Sequence, residues 1–202
     1  MKGLLLLLAC CYLMSACKNN ASKQAVEQEN VLVPDTLLYN DSAFLFYEKV
    51  PNGKYLLTWG RNADNPVGQD TLGPMPKGLP TVRWQNAAAI CIEGDCGSAC
   101  TFAYILPLEK LSKSKHYLFP LSYNPDQSLI CYSSNRVKDK ALATVENYIT
   151  GKQMQILLPY FPGTAPYATI DSVSFVKNNQ LYIEWKHITG KKMKKTIPIK
   201  LK

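Results

Sequence analysis

Beyond position 40, apolar residues gather in short runs cut by polar turns that carry Gly, Pro or Asn. Several runs alternate apolar and polar positions with period two, the pattern of half-buried strands. Phe44 to Lys49 and Tyr55 to Trp59 flank Pro51-Asn52-Gly53, which predicts a hairpin. Tyr104 to Leu108 and Tyr117 to Leu121 flank a turn rich in lysine and serine, and Ser172 to Val176 and Leu181 to Trp185 flank Asn178-Asn179. Between Arg61 and Pro80 the chain carries many Gly and Pro residues without periodicity, so a long ordered loop is expected there. No segment repeats apolar residues at helical spacing. The fold class read from this pattern is all-β.

The chain also resembles itself. Val137-Lys138-Asp139 through Ile149-Thr150-Gly151-Lys152-Gln153-Met154 matches Val176-Lys177-Asn178 through Ile188-Thr189-Gly190-Lys191-Lys192-Met193 at an offset of 39 residues without a gap, and Ile90-Cys91-Ile92 stands 40 residues before Ile130-Cys131-Tyr132. A period of about 40 lies in the range of propeller blades, each a small antiparallel sheet. The segment Leu121 to Arg136 resembles the repeat of TolB-type β-propellers, with Asn124-Pro125-Asp126-Gln127 in place of the opening Ser-Pro-Asp-Gly turn, Leu129 to Ser133 as the strand and Ser134-Asn135-Arg136 as the loop. Strands from Ala141 to Tyr148 and Met154 to Leu158 would complete the unit. The resemblance implies a non-catalytic envelope role and, ordinarily, a larger ring than this chain can form. Expected is an antiparallel meander of roughly four blade-like units, either closed or open; a two-sheet β-sandwich is the alternative.

The amino terminus supplies an address. Met1-Lys2 precedes the apolar stretch Gly3 to Met14, then Ser15-Ala16-Cys17 and the polar Lys18-Asn19-Asn20. That is the layout of a signal peptide, and the apolar core is shorter than the roughly 20 residues of a spanning helix. With Leu13 and Met14 on its apolar side, Ser15-Ala16-Cys17 resembles the lipobox of bacterial lipoproteins. The resemblance implies cleavage before Cys17, lipidation of its thiol, and anchorage through acyl chains. Cleavage at Cys10 or Cys11 would leave too short a core. The expected organisation is a signal peptide over 1–16, lipidated Cys17 and a flexible polar tether over 17–34, and one all-β domain over 35–202. The expected location is the periplasm-facing leaflet of an envelope membrane.

Charge and chemistry refine this picture. The net charge of +8 arises in the second half, where residues 101–202 hold 15 Lys and Arg against 6 Asp and Glu; residues 1–100 hold 8 against 9. An exported basic chain meets anionic lipids, acidic glycans or acidic proteins rather than nucleic acid, although lysines also blunt strand edges. In an oxidising compartment Cys91, Cys96, Cys100 and Cys131 predict two disulfides, with three connectivities open. Cys91–Cys131 with Cys96–Cys100 is favoured because Cys91 and Cys131 occupy equivalent repeat positions; Cys91–Cys100 with Cys96–Cys131 stays open. The spacing does not form two zinc knuckles, and no cofactor motif is present, so neither metal nor cofactor is expected.

Catalysis finds little support in these residues. A cysteine nucleophile would depend on His116 or His187, Ser98 lacks a nucleophile elbow, and Glu93, Asp95, Asp126 and Asp171 read as turn-capping residues. Binding is favoured instead. Aromatics are scattered through the chain, and Leu158 to Tyr167 sets them between prolines in a stiff loop. Tyr160, Phe161 and Tyr167, with the basic Lys191, Lys192, Lys194 and Lys195, form the candidate binding surface. Its expected partner is another envelope protein, with an anionic glycan or lipid as the alternative and a metal- or thiol-dependent enzyme as the third reading.

Overall fold

A computed structural model describes residues 43–62, 65–73, 75, 77–109, 113–137 and 139–202; the expected signal peptide, Cys17 and the tether lie outside the described residues. Four antiparallel sheets follow one another along the chain, each with its strands in sequence order. Sheet 1 holds β1 (Phe44–Val50), β2 (Lys54–Asn62) and β3 (Asn65–Leu72). Sheet 2 holds β4 (Thr81–Gln85), β5 (Ala89–Gly97), β6 (Cys100–Pro107) and β7 (Lys115–Leu118). Sheet 3 holds β8 (Pro120–Asn124), β9 (Leu129–Tyr132), β10 (Ala143–Asn147) and β11 (Gln153–Ile156). Sheet 4 holds β12 (Ile170–Val176), β13 (Gln180–Lys186) and β14 (Lys192–Pro198). The protein is an all-β antiparallel meander, and among the described residues no α-helix and no closed barrel is formed.

The sheets pack face to face in chain order, because period-two alternation sends neighbouring residues to opposite layers. Leu45, Tyr47, Leu57, Trp59 and Leu72 of sheet 1 meet Ile90, Ile92 and Leu106 of sheet 2. From the other side of sheet 2, Cys91, Ala103, Ile105 and Tyr117 meet Ile130 and Tyr148 of sheet 3. Leu129, Cys131, Ala143, Val145 and Ile156 then meet Leu181 of sheet 4. Strands buried on both faces read as continuous apolar runs, which is why Ala89 to Ile92 and Phe102 to Leu106 show no clean alternation. No core cluster of described residues joins sheet 1 to sheet 4.

Several expected elements form where the turn chemistry put them. Asn52 and Gly53, both at φ +68°, turn β1 into β2, a backbone that Asn and Gly tolerate. At the start of the TolB-like segment, the Asn124 side chain accepts a hydrogen bond from Gln127 N at 3.2 Å, and Ser128 at φ +56° closes the turn. The 39-residue repeat is a structural one in its first strand, for Thr144 and Glu146 face sheet 2 as Ile183 and Trp185 face sheet 3. Gly151 at +74° and Gly190 at +79° then fill the same turn position. Past the turn the equivalence breaks. Six residues separate the pair Glu146↔Gln153 but five separate Lys186↔Lys192, and a one-residue slip flips every side chain.

Three expectations need correction. Arg61 to Pro80 is not a long loop, since it contains β3. Gly68 hid this strand from the pattern: the Trp59 ring lies against it, and a Cβ there would collide with the indole. Tyr117 to Leu121 is not one strand. At Phe119 (φ +52°) the chain leaves sheet 2 for sheet 3; Phe119 N donates to Thr101 O at 2.9 Å and Phe119 O accepts from Ser133 N at 3.0 Å. Finally, one disulfide forms rather than two. Cys96–Cys100 closes the exposed β5–β6 hairpin, while Cys91 and Cys131 are buried free thiols. The favoured Cys91–Cys131 pairing fails because equivalent repeat positions face equivalent layers: Cys91 lies between sheets 2 and 3, and Cys131 on the far side of sheet 3.

Candidate functional site

A cleft of about 860 Å³ lies between β7 and sheet 3, within the roughly 300–1,000 Å³ of ligand pockets. Lys115 and Tyr117, two apart on β7, point across the layer toward β10. There Glu146, 6% exposed, forms the polar floor. Its Oε1 accepts from Lys115 Nζ at 2.9 Å and from Tyr117 OH at 2.9 Å; its Oε2 accepts from Gln153 Nε2 at 2.8 Å and from Tyr132 OH at 3.3 Å. One carboxylate thus satisfies four donors from three other strands, as a buried charge requires. Burial, reinforced by the Glu146 charge and by hydrogen bonding to it, pushes the Tyr132 hydroxyl up to about 12 and raises that of Tyr117 further.

The rim is polar and basic. Ser134, Asn135, Arg136, Asp139 and Lys140 contribute to it from the β9–β10 connection. Ser134 Oγ accepts from Arg136 N at 3.1 Å, Ser133 Oγ donates to Leu142 O at 2.7 Å, and Asp139 N donates to Arg136 O at 3.0 Å. His116, between Lys115 and Tyr117, turns to the opposite face and stacks on Tyr104 with ring centroids 4.6 Å apart. Burial lowers its pKa, against the opposing pull of Asp70. It therefore favours the neutral imidazole.

The aromatic loop expected to form a binding edge reaches this rim from behind. The Tyr160 hydroxyl donates to the carbonyls of Asp139 and, at 3.5 Å, of Val137. Tyr167 N donates to Ser134 O at 3.3 Å, and the Tyr167 ring stacks on Phe119 at 4.2 Å. Tyr160 and Tyr167 thus brace the loop that carries Arg136. Phe161 stands apart from them, with the Lys186 ammonium 4.3 Å from its ring centre. The predicted lysines do not join the cleft. All of Lys191, Lys192, Lys194 and Lys195 are exposed; Lys192 and Lys194 share the outer face of sheet 4 with Lys186, and Lys192 pairs with Asp171 at 3.0 Å.

A smaller groove of about 500 Å³ lies beside β4 and β8, of the size of a small-ligand pocket. Glu93 there accepts from Tyr123 OH at 2.9 Å, with Arg83 Nε at 3.8 Å. The indole of Trp84 packs on Tyr123 and Tyr148. The nearby Cys91 thiol is pushed up to about 12 by burial first and by the Glu93 charge second, and burial alone raises Cys131. Reactive cysteines need a lowered pKa, so neither thiol is primed as a nucleophile.

Glu146 escaped sequence reading because its partners are far off in the chain. A signal was nevertheless present: the 39-residue offset places Glu146 opposite Trp185, a core residue 3% exposed, so the repeat puts this carboxylate in an inter-sheet layer. Comparison of the chain with family models and with curated proteins yields no match to either.

Proposed function

We propose that this chain is a lipoprotein of the bacterial envelope, lipidated at Cys17, whose β domain binds another envelope protein and carries out no reaction. The observation that carries the binding role is the preformed cleft over Glu146. Lys115, Tyr117, Tyr132 and Gln153 already donate to Glu146 at hydrogen-bonding distance, leaving a rigid polar floor under a basic rim. Pre-organisation of this kind lowers the ordering cost of association. The raised thiols of Cys91 and Cys131 and the stacked, neutral-leaning His116 favour a binding role over thiol chemistry. The TolB-like segment, whose Tyr132 to Arg136 line the cleft, agrees with this reading. Tyr160 and Tyr167 serve it by bracing the rim, while Phe161 stands apart against Lys186.

Two measurements test the proposal. Mass spectrometry of the mature chain from its native envelope is expected to find Cys17 as the acylated first residue, and an intact residue 1–16 segment would refute the anchor. Cross-linking in intact cells is expected to capture a defined envelope protein; capture of none would refute the binding role.

The lysine face of sheet 4 favours a second reading. Lys186, Lys192 and Lys194 project from one outer face, where an anionic lipid or glycan would be attracted electrostatically. In that case the soluble domain should sediment with vesicles containing anionic lipid and be released by salt.

A further inference from the structure

β7 is the outer strand of sheet 2, and its pairing fixes which of its backbone groups are engaged. Phe119 N donates to Thr101 O, and the register continues as Leu118↔Phe102, Tyr117↔Ala103, His116↔Tyr104 and Lys115↔Ile105. In an antiparallel ladder, bonded and non-bonded pairs alternate. Lys115 and Tyr117 therefore direct their amides and carbonyls at β6, whereas His116 and Leu118 direct theirs outward. Among the described residues, the outward groups of His116 and Leu118 have no hydrogen-bond partner.

That outward side borders the cleft, which Lys115 through Phe119 line without interruption. Two other edge strands are blunted in the ways that natural sheets use. β14 carries Lys192, Lys194, Lys195 and Pro198, and Gln153 of β11 exchanges two backbone bonds with Lys202, at 3.1 and 3.3 Å. The lysine of β7 does not guard its edge, because Lys115 is turned inward onto Glu146. Leu118, 42% exposed, adds an apolar contact beside the free groups. Above them stand the exposed Arg136 and Lys140, neither in an ion pair among the described residues. Of the two cleft carboxylates, Glu146 is already paired with Lys115, leaving Asp139 alone against two cations.

We propose that this cleft binds an extended, acidic peptide segment of a partner protein, which adds to sheet 2 beside β7. The inference rests on the binding role argued above and names its mode. Main-chain hydrogen bonds to His116 and Leu118 would supply affinity. Alternation of the added strand would set every second residue toward Tyr132 and Glu146, with the basic rim selecting acidic neighbours. Lysine-bearing segments would be repelled at Arg136 and Lys140.

The test uses the mature full-length chain in detergent and four short synthetic peptides: alternating Glu and Val, alternating Lys and Val, and the Glu–Val peptide N-methylated at every second amide in each of the two registers. The Glu–Val peptide is expected to bind and to slow hydrogen exchange at the His116 and Leu118 amides. Methylation on the β7-facing edge and Leu118→Pro, which removes an outward donor, should each weaken binding about tenfold or more; the Lys–Val peptide should not bind. Because Leu118→Pro can disturb β7 itself, Arg136→Glu is the second variant, expected to weaken the Glu–Val peptide while leaving the circular dichroism spectrum unchanged. Equal binding of the methylated and unmethylated peptides in both methylation registers, or no binding of any peptide, would overturn the proposal. A partner cross-linked in cells equally by wild type, Leu118→Pro and Arg136→Glu would overturn the edge mode while leaving the binding role standing, whereas no cross-linked partner refutes the role itself.

Discussion

Glu146 stands where the repeat places Trp185 one sheet later, and exchanging an indole for a carboxylate changes what the surrounding layer requires. Glu146→Ala would leave Lys115, Tyr117, Tyr132 and Gln153 without their acceptor. Breaking a buried pair costs about 3–5 kcal/mol; Lys115 is 31% exposed, so solvent relieves part of this, and a loss of about 2–3 kcal/mol is expected in urea denaturation. Glu146→Gln, which keeps an acceptor of the same shape, should lose about half as much. Two of the same donors set an alkaline limit. Because the folded state raises the hydroxyls of Tyr117 and Tyr132 above their unfolded value of about 10, their contribution is complete below that pH and vanishes as pH rises through the folded values, about 12 for Tyr132. The melting temperature should therefore hold from pH 7 to about 9 and fall above about 10, with tyrosinate absorbance appearing together with loss of the circular dichroism signal. Tyrosinate appearing at Tyr117 and Tyr132 near pH 10 in a protein that keeps its spectrum would contradict this account.

Among the strands, those with local signals were legible and those defined by distant neighbours were not. Pro51-Asn52-Gly53 and Asn124-Pro125-Asp126 encode their turns in a few residues, and the hairpins beside them form as expected. β3 is different: Val67, Gly68 and Gln69 look like loop until the Trp59 ring is laid over Gly68 from the neighbouring strand. Gly68→Ala should therefore destabilise the domain by about 1–3 kcal/mol, the usual cost of overpacking. Gly73→Ala, at a site with open space around it, should be near neutral in the same thermal melts. β14 escaped notice for the opposite reason, since Lys192, Lys194 and Lys195 mask a strand whose Ile197 packs inward. The cleft was least legible, because Lys115 and Glu146 stand 31 residues apart in different sheets. The Leu158 to Tyr167 aromatics were conspicuous in sequence, yet neither Tyr160 nor Tyr167 lines the cleft: Tyr160 braces the backbone of its rim loop and Tyr167 stacks on Phe119.

At the scale of the molecule, each core layer joins sheets adjacent in the chain, giving a quasi-linear stack. This order separates the free thiols, with Cys91 in the second layer and Cys131 in the third. Thiol titration of the mature, lipidated protein near pH 8 should detect almost no reaction in the native state and two thiols after unfolding, with Cys96 and Cys100 recovered as one disulfide peptide. The ends of the stack are fastened alike: Trp59 Nε1 donates to Pro107 O and Trp185 Nε1 to Pro159 O, both at 2.9 Å. The first bond ties sheet 1 to sheet 2, and the second ties sheet 4 to the connection that follows β11. Terminal sheets have one packed face and inner sheets two, so opening should begin at the ends, and amides of sheets 2 and 3 should exchange slowest. Ile183→Ala, at a fully buried position of sheet 4, should cost about 2–4 kcal/mol. Because no core cluster of described residues carries sheet 4 into sheets 1 or 2, exchange should quicken in β12 to β14 and leave β1 to β6 nearly unchanged. Uniform acceleration across all four sheets would mean that the stack opens as a single cooperative unit, and that the layers are coupled more strongly than their contacts require.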